Sequence, residues 1–251
     1  MLSLDTIEKK FDDVKAVDKI SLKVDQGDIY GFLGPNGAGK TTTIRMIMGI
    51  IHPDNGSIRL KENDINALGR KNLGYLPEDR GLYQKQKLQE ILYYFSFLRG
   101  LDKKDAIQNT GLWLERFGLD GHAERKVEEL SKGNQQKVQF ILALLHDPDL
   151  IIMDEPFTGL DPVNQLLMKE IIQEKQNEGK TIIFSTHQME QVERLCNNIC
   201  LINEGKIVLE GSLDMIRNTH ASNVVEVKYT GQIKSSEVAS FFSELNIQDN
   251  G

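Results

Sequence analysis

The run Gly34-Pro35-Asn36-Gly37-Ala38-Gly39-Lys40-Thr41 limits this chain's fold more than any other stretch. It fits the pattern Gly-x-x-x-x-Gly-Lys-Ser/Thr, and it stands between the apolar run Ile29 to Leu33 and a helix-like stretch from Thr42 to Met48. Strand, glycine-rich turn and helix in that order make a loop whose successive amide N–H groups point inward, with the helix N-terminus adding positive potential. In such a loop Lys40 reaches the β- and γ-phosphates of a nucleotide, and the Thr41 hydroxyl can ligate Mg²⁺. The bland alternative is a glycine-rich turn that opens a helix. Strand, loop, lysine and helix together favour a site for a nucleoside triphosphate, although the loop alone names no reaction.

Charge indicates how that polyanion must be held. Thirty Lys and Arg stand against thirty-seven Asp and Glu, a net charge of −7, so general attraction to nucleic acid or anionic lipid does not drive this chain. With 39% apolar and 27% charged residues there is material for a core, and wholesale disorder is excluded. A length of 251 residues leaves one large domain or two small ones open. Cys196 and Cys200 are too few for a disulfide framework and lack the further ligands of a zinc site, so they read as small buried apolar residues in a reducing compartment. Residues 1–13 contain no apolar leader segment, and the apolar run Phe140 to Leu145 is far too short to cross a bilayer. The expectation is a chain neither exported nor membrane-spanning, for which membrane work would require a partner.

Short apolar runs at Ile20 to Val24, Ile29 to Leu33, Leu150 to Met153, Thr181 to Phe184 and Ile199 to Ile202 alternate with helical stretches, which predicts an α/β fold. Between about Arg80 and Leu145 strand signals are missing, and Ile91, Phe95 and Leu98 recur at helical spacing, so this part reads as a helical insert. Within it, Leu92 to Leu98 is more apolar than one helix face needs. Tyr93, Tyr94 and Phe97 read chiefly as packing, with contact to a partner helix as the alternative. Beyond Gly211 the pattern changes to a strand near Val224 to Val227 and a short helix at Glu237 to Leu245, a tail resembling a fragment of something longer.

The run Leu150 to Met153 ends in Asp154-Glu155, as when a buried strand delivers carboxylates to the C-terminal edge of a parallel sheet. Asp154 is placed to hold Mg²⁺ through water, and Glu155, pointing differently, to orient or deprotonate an attacking water. Ser131, in Leu130-Ser131-Lys132-Gly133-Asn134, precedes a helical pattern and reads as an N-cap, either a cap alone or part of a second anion site. Gly159-Leu160-Asp161-Pro162 follows the acidic strand. His187 follows the strand at Thr181 to Phe184, where it is structural or in reach of a γ-phosphate.

Taken in order, these motifs resemble the nucleotide-binding subunit of ABC transporters, over about residues 1 to 215. The resemblance implies a P-loop NTPase core with an N-terminal antiparallel β-subdomain and an inserted helical subdomain. The core would be 1–79 with 146–215, the insert 80–145, and 216–251 a small β-α extension. It also implies ATP and Mg²⁺ as cofactors. Phe11 looks like the aromatic that stacks on adenine, and residues 34–42, with Gly34, Asn36, Gly37, Ala38, Gly39, Lys40, Thr41 and Thr42, match the Walker A loop. Asp154 and Glu155 match the Walker B aspartate and catalytic glutamate. Leu130 to Asn134 resembles the signature, Asp161 the D-loop aspartate and His187 the switch histidine. In this family two cassettes close head to tail, so Ser131 and Gly133 of one chain would meet the γ-phosphate held by Lys40 of the other.

Three departures from the family pattern stand out. Lys132 replaces a signature glycine, Asn134 replaces the glutamine, and Glu78 stands where a glutamine is usual, keeping an oxygen for Mg²⁺ or water while losing an amide donor. Glu78 with Asp79-Arg80-Gly81-Leu82-Tyr83 is similar to single-cassette exporters that include sodium-efflux and drug-resistance systems. The implied function is ATP hydrolysis that drives a membrane permease from the cytoplasmic face, with a second cassette as partner and no nucleic acid. The rival reading is an ABC-type ATPase acting on ribosomes or DNA, whose members usually carry two cassettes or a long coiled-coil insert. A GTP-driven switch would want an Asn-Lys-x-Asp guanine reader, and that tetrapeptide is absent from the sequence.

Overall fold

In the computed structural model, which describes residues 1–61, 63–65, 70–79 and 81–220, strand β3 (Ile29–Leu33) lies inside a six-stranded sheet and is buried along its whole length. Its neighbours are β8 (Thr181–Thr186) and β9 (Asn198–Asn203), both parallel to it. Beyond β8 come β7 (Leu150–Asp154) and β6 (Leu73–Leu76), again parallel, and on the far edge β10 (Lys206–Ser212) pairs antiparallel with β9. Strands β7 and β8 are buried at every position, which explains why they read as unbroken apolar runs and not as alternation.

A second sheet is antiparallel: β1 (Leu2–Phe11), β2 (Val14–Val24), β4 (Asn55–Leu60) and β5 (Asn63–Asp64), in the order β2-β1-β4-β5. The first strand is hidden in composition because its apolar residues are spaced: Leu2, Leu4 and Ile7 face inward while Asp5 and Thr6 face water. Helix α1 (Lys40–Ile47) follows β3 and the phosphate loop, starting slightly before the expected Thr42.

The two faces of the parallel sheet bury against different layers. Tyr30, Phe32, Leu150, Ile152 and Ile183 pack with α1 and the antiparallel sheet. Ile29, Leu33, Ile151, Met153, Ile182 and Phe184 pack against helices on the other side. Those helices are α2 (Leu88–Leu98), α3 (Lys103–Arg116), α4 (Lys132–Leu144), α5 (Pro162–Asn177) and α6 (Met189–Leu195), with α7 (Leu213–His220) after β10. This is the P-loop NTPase fold. The α4 helix lies directly on β6: Gly74 has no side chain, and a Cβ there would stand 2.1 Å from the Ala143 carbonyl oxygen.

In α2, Leu88, Ile91 and Leu92 are buried while Tyr94, Phe97 and Leu98 are about half exposed, so the aromatic run is packed on one side only. Cys200 is buried and Cys196 half-buried, and burial pushes both thiols well above their usual range. The strand expected at Val224 to Val227 and the helix at Glu237 to Leu245 lie outside the described residues. No helix among the described residues is long and apolar enough to cross a membrane.

Candidate functional site

Parallel register fixes where the polar residues emerge. Leu33 pairs with Thr186, Asp154 with Ser185 and Leu76 with Met153, so β3, β8, β7 and β6 all end at one sheet edge. Ligands in open α/β sheets sit outside this carboxyl edge. The 34–39 loop leaves β3 at that edge and turns into α1 through Gly39, which has φ 107° and provides no side-chain cap. The first amides of α1 therefore have no intrahelical or side-chain partner and are available to an anion. Gly34, at φ 143°, has the Ile202 carbonyl oxygen 2.1 Å from where a Cβ would be, so the loop's entry tolerates no side chain.

Lys40 is 7% exposed, and its Nζ donates to the carbonyl oxygens of Gly34 at 2.8 Å and Pro35 at 3.0 Å, so the ammonium lies inside the curl of the loop. Asn36 and Gly37 are exposed at its tip, Ala38 is buried beneath it, and Thr42 is half-buried on α1. The Thr41 hydroxyl donates to Asp154 Oδ2 at 3.0 Å, and Ser185 donates to Asp154 Oδ1. Two hydroxyls thus satisfy a carboxylate that is only 1% exposed. A hydroxyl and a carboxylate oxygen brought to one point, beside the uncapped first amides of α1, form the donor set that suits a hard divalent cation carried by phosphates. These residues fit Mg²⁺ and a nucleotide.

Glu155, one residue beyond the strand, has φ 48°, a left-handed conformation that is uncommon for a residue with a side chain. Its N–H donates to the Ser185 carbonyl at 3.1 Å, and its carboxylate takes partners other than those of Asp154. Oε1 accepts from the His187 backbone N–H at 3.1 Å and lies 2.7 Å from His187 Nδ1, while Oε2 accepts from the Thr186 hydroxyl at 3.2 Å. Three groups from one strand end clamp this carboxylate, and the strained backbone is where such a fixed orientation is stored.

The other sequence candidates fall elsewhere. Ser131 caps α4, its hydroxyl accepting from Asn134 N–H at 3.2 Å, and Gly133 lies in the first turn, where a Cβ would meet Gly159 and Leu160 no closer than 3.9 Å. Asp161 caps α5, accepting from Asn164 N–H at 3.1 Å, and those amide bonds hold its carboxyl below the usual range. Among the described residues, no hydrogen bond joins Ser131, Gly133 or Asp161 to the 34–42 loop. Phe11 is 46% exposed at the end of β1, with Lys9 Nζ 5.6 Å from its ring centre. Glu78 is exposed on the loop after β6.

Sequence reasoning missed Ser185 and Thr186, whose signal was available: two hydroxyl residues end an otherwise apolar strand immediately before His187. It also missed Tyr75 on β6, whose phenol burial and the nearby Asp154 push up to about 12, against the opposing pull of Arg45.

A phosphate loop, a buried carboxylate at the next strand but one and a clamped glutamate beside it define a nucleotide-binding P-loop protein. Comparison with known proteins is narrower. The family model for ABC transporters matches residues 17–158. The chain is 48% identical over 227 residues to the uncharacterized ABC transporter ATP-binding protein YhaQ of Bacillus subtilis, covering 90% of this chain and 76% of that protein. It is 37% identical over 242 residues to the Nod factor export ATP-binding protein I of Burkholderia pseudomallei, covering 95% and 80%. The solved structure of an ATP-binding subunit of an ABC transporter matches it with a TM-score of 0.82 at 30% identity, over 87% of this chain and 92% of that one. The chain belongs to the ATP-binding proteins of ABC transporters, as its motif order implied. It binds ATP and is an ATPase, and subunits of its family dimerise and work with membrane permease components.

Proposed function

We propose that this chain is the ATP-hydrolysing subunit of an exporter, acting on the inner face of the cell membrane through a permease partner and closing head to tail with a second cassette. The name of the Nod factor export relative supports export as the direction. The observation that carries the catalytic reading is the clamp on Glu155, whose carboxylate is held at the same sheet edge as the Thr41–Asp154 pair but by a separate set of partners.

In this reading Lys40 and the backbone N–H groups at the tip of the 34–39 loop and in the first turn of α1 bind the β- and γ-phosphates, and Phe11 stacks on the base. Thr41 and Asp154, with Glu78 as a further oxygen, would hold Mg²⁺, which would supply positive charge against the phosphates. Glu155 orients water and accepts its proton as the water oxygen attacks the γ-phosphorus and the bond to the β-phosphate breaks. His187 and Thr186 keep that carboxylate in place. Ser131 and Gly133 act across the closed dimer, on the γ-phosphate held by the second chain, with Asp161 as the D-loop aspartate, which accounts for their separation from the loop within one chain. Residues 80–145 form the helical insert between the two stretches of core, 1–79 and 146–215, with an extension from 216.

The Glu155→Gln variant tests this. The amide keeps the size of the side chain and cannot take a proton, so turnover falls on the order of 10²- to 10⁴-fold while ATP binding persists. Because ATP then bridges two chains without being consumed, mass action shifts the variant to dimer with ATP and Mg²⁺, and not with ADP. Size-exclusion chromatography with light scattering measures it, on the isolated chain and on the complex in detergent. A variant that binds ATP tightly yet stays monomeric in both settings rejects the head-to-tail mechanism.

A further inference from the structure

Helix α4 does more than present Ser131. Two of its glutamines are almost wholly buried, Gln136 at 3% and Gln139 at 4% exposure. Each gives its amide to a loop carbonyl at the sheet edge: Gln136 Nε2 donates to Pro156 O at 3.1 Å, and Gln139 Nε2 donates to Asp79 O at 3.0 Å. Pro156 follows Glu155, and Asp79 follows Glu78. One helix therefore grips the backbone next to two of the acidic residues assigned to the reaction, Glu155 and Glu78.

Gln139 is the sharper case. Its Oε1 is buried without a hydrogen-bond partner, so the side chain leaves an acceptor unsatisfied in order to make one donation. An apolar side chain of that length would avoid the cost, which argues that the residue serves position and not packing. The geometry agrees. Gly74 lets α4 seat against β6 at Ala143, one helical turn beyond Gln139, and from that fixed seat Gln139 reaches just past the end of β6 to the 77–79 loop. Glu78 is itself exposed, and no described residue holds its carboxylate. What locates Glu78 is the backbone beside it.

We propose that Gln139 is a positioning residue, which sets where Glu78 stands by holding the Asp79 carbonyl. This rests on the proposed role of Glu78 at the nucleotide. It adds a route by which movement of α4, whose N-terminus carries Ser131, is transmitted to the acidic loops of its own chain.

The test compares the full chain with Gln139→Leu and Gln139→Glu, reading kcat and KM for ATP against pH and, without nucleotide, amide hydrogen exchange over residues 75–79 and 140–144. In Gln139→Leu, kcat falls about five- to tenfold, as for loss of one buried hydrogen bond, with KM held within about twofold. Exchange at 75–79 accelerates while 140–144 keeps its protection. Gln139→Glu shows the same loss at high pH and recovers as the carboxyl protonates and can donate again, a recovery Gln139→Leu lacks. Unchanged exchange at 75–79 in a folded variant overturns the proposal, as does equal loosening of 75–79 and 140–144, which is the mark of a packing role. If Gln139→Leu does not fold, the pH recovery of Gln139→Glu decides. If the wild-type chain hydrolyses no ATP, the reading of the site fails, and exchange at 75–79 still decides whether Gln139 tethers the loop.

Discussion

The ends of β3, β7 and β8 and the N-terminus of α4 are both candidate phosphate sites, and they are built in opposite ways. At the strand ends every functional side chain is already held: Asp154 by Thr41 and Ser185, Glu155 by Thr186 and His187, Lys40 by two loop carbonyls. At α4, among the described residues, the side-chain hydrogen bond of Ser131 stays within its own helix, and a Cβ on Gly133 would meet Gly159 and Leu160 only at an ordinary contact distance of 3.9 Å. Fixed dipoles around a reacting centre cost no reorganisation during the reaction, so the first arrangement suits chemistry. The second offers a hydroxyl proton and the first-turn amides that the Ser131 cap leaves over to something that arrives from outside. The difference between them is what the proposed head-to-tail closure, with one site shared between two chains, would require of each chain.

Substitutions can break that comparison, and Lys40→Ala should have the largest effect on ATP binding. It removes the one positive side chain enclosed by the 34–39 loop, so ATP binding is lost in the isolated chain and turnover falls on the order of 10²- to 10³-fold. Calorimetric titration with ATP and a phosphate-release assay measure both. Ser131→Ala comes next and should separate the two quantities. Loss of the cap costs about 1 kcal/mol of helix stability. ATP affinity of the single chain stays at the wild-type value, because no hydrogen bond links Ser131 to the loop among the described residues. Turnover nevertheless falls about tenfold or more, since a phosphate donor is missing from the assembled site. Equal loss of ATP affinity in both variants would show that Ser131 belongs to its own chain's site and end the distinction.

How much of this was legible beforehand follows the same division. The buried parallel strands were readable because burial on both faces writes an unbroken apolar run, as in Leu150 to Met153 and Thr181 to Phe184. The N-terminal strand from Leu2 was not, because β1 alternates and breaks register between Leu4 and Ile7, so its apolar residues never cluster. The short strand β6 was hidden by Gly74, a residue that weakens a strand pattern and that α4 requires here. At the site, Lys40, Thr41, Asp154 and Glu155 are legible because their spacing is local. Thr186 and Gln139 act on residues 31 and 60 positions away, and only the folded register shows whom they serve.

The smallest effect is predicted for Glu78→Gln, and it sharpens the comparison because Glu78 sits between the two regimes. In the proposed reading it stands at the nucleotide with the strand-end groups; like Ser131, whose hydroxyl caps only its own helix, its side chain is held by no described residue outside its own segment. A side chain free to turn cannot supply the fixed orientation on which a general base depends, whereas the clamped Glu155 can. Glutamine keeps a carbonyl oxygen of the same reach, able to accept from water or approach a cation, and loses one negative charge at a solvent-exposed position. Phosphate release should therefore drop by no more than a few-fold, with ATP affinity unchanged or slightly improved as repulsion of the phosphates is relieved. The decisive measurement is Glu78→Gln beside Glu155→Gln in one preparation, at saturating ATP. If the two variants lose turnover equally while both remain folded and bind ATP, an exposed carboxylate has done the work of a clamped one, and side-chain restraint within the chain is not what marks the reacting half of the site.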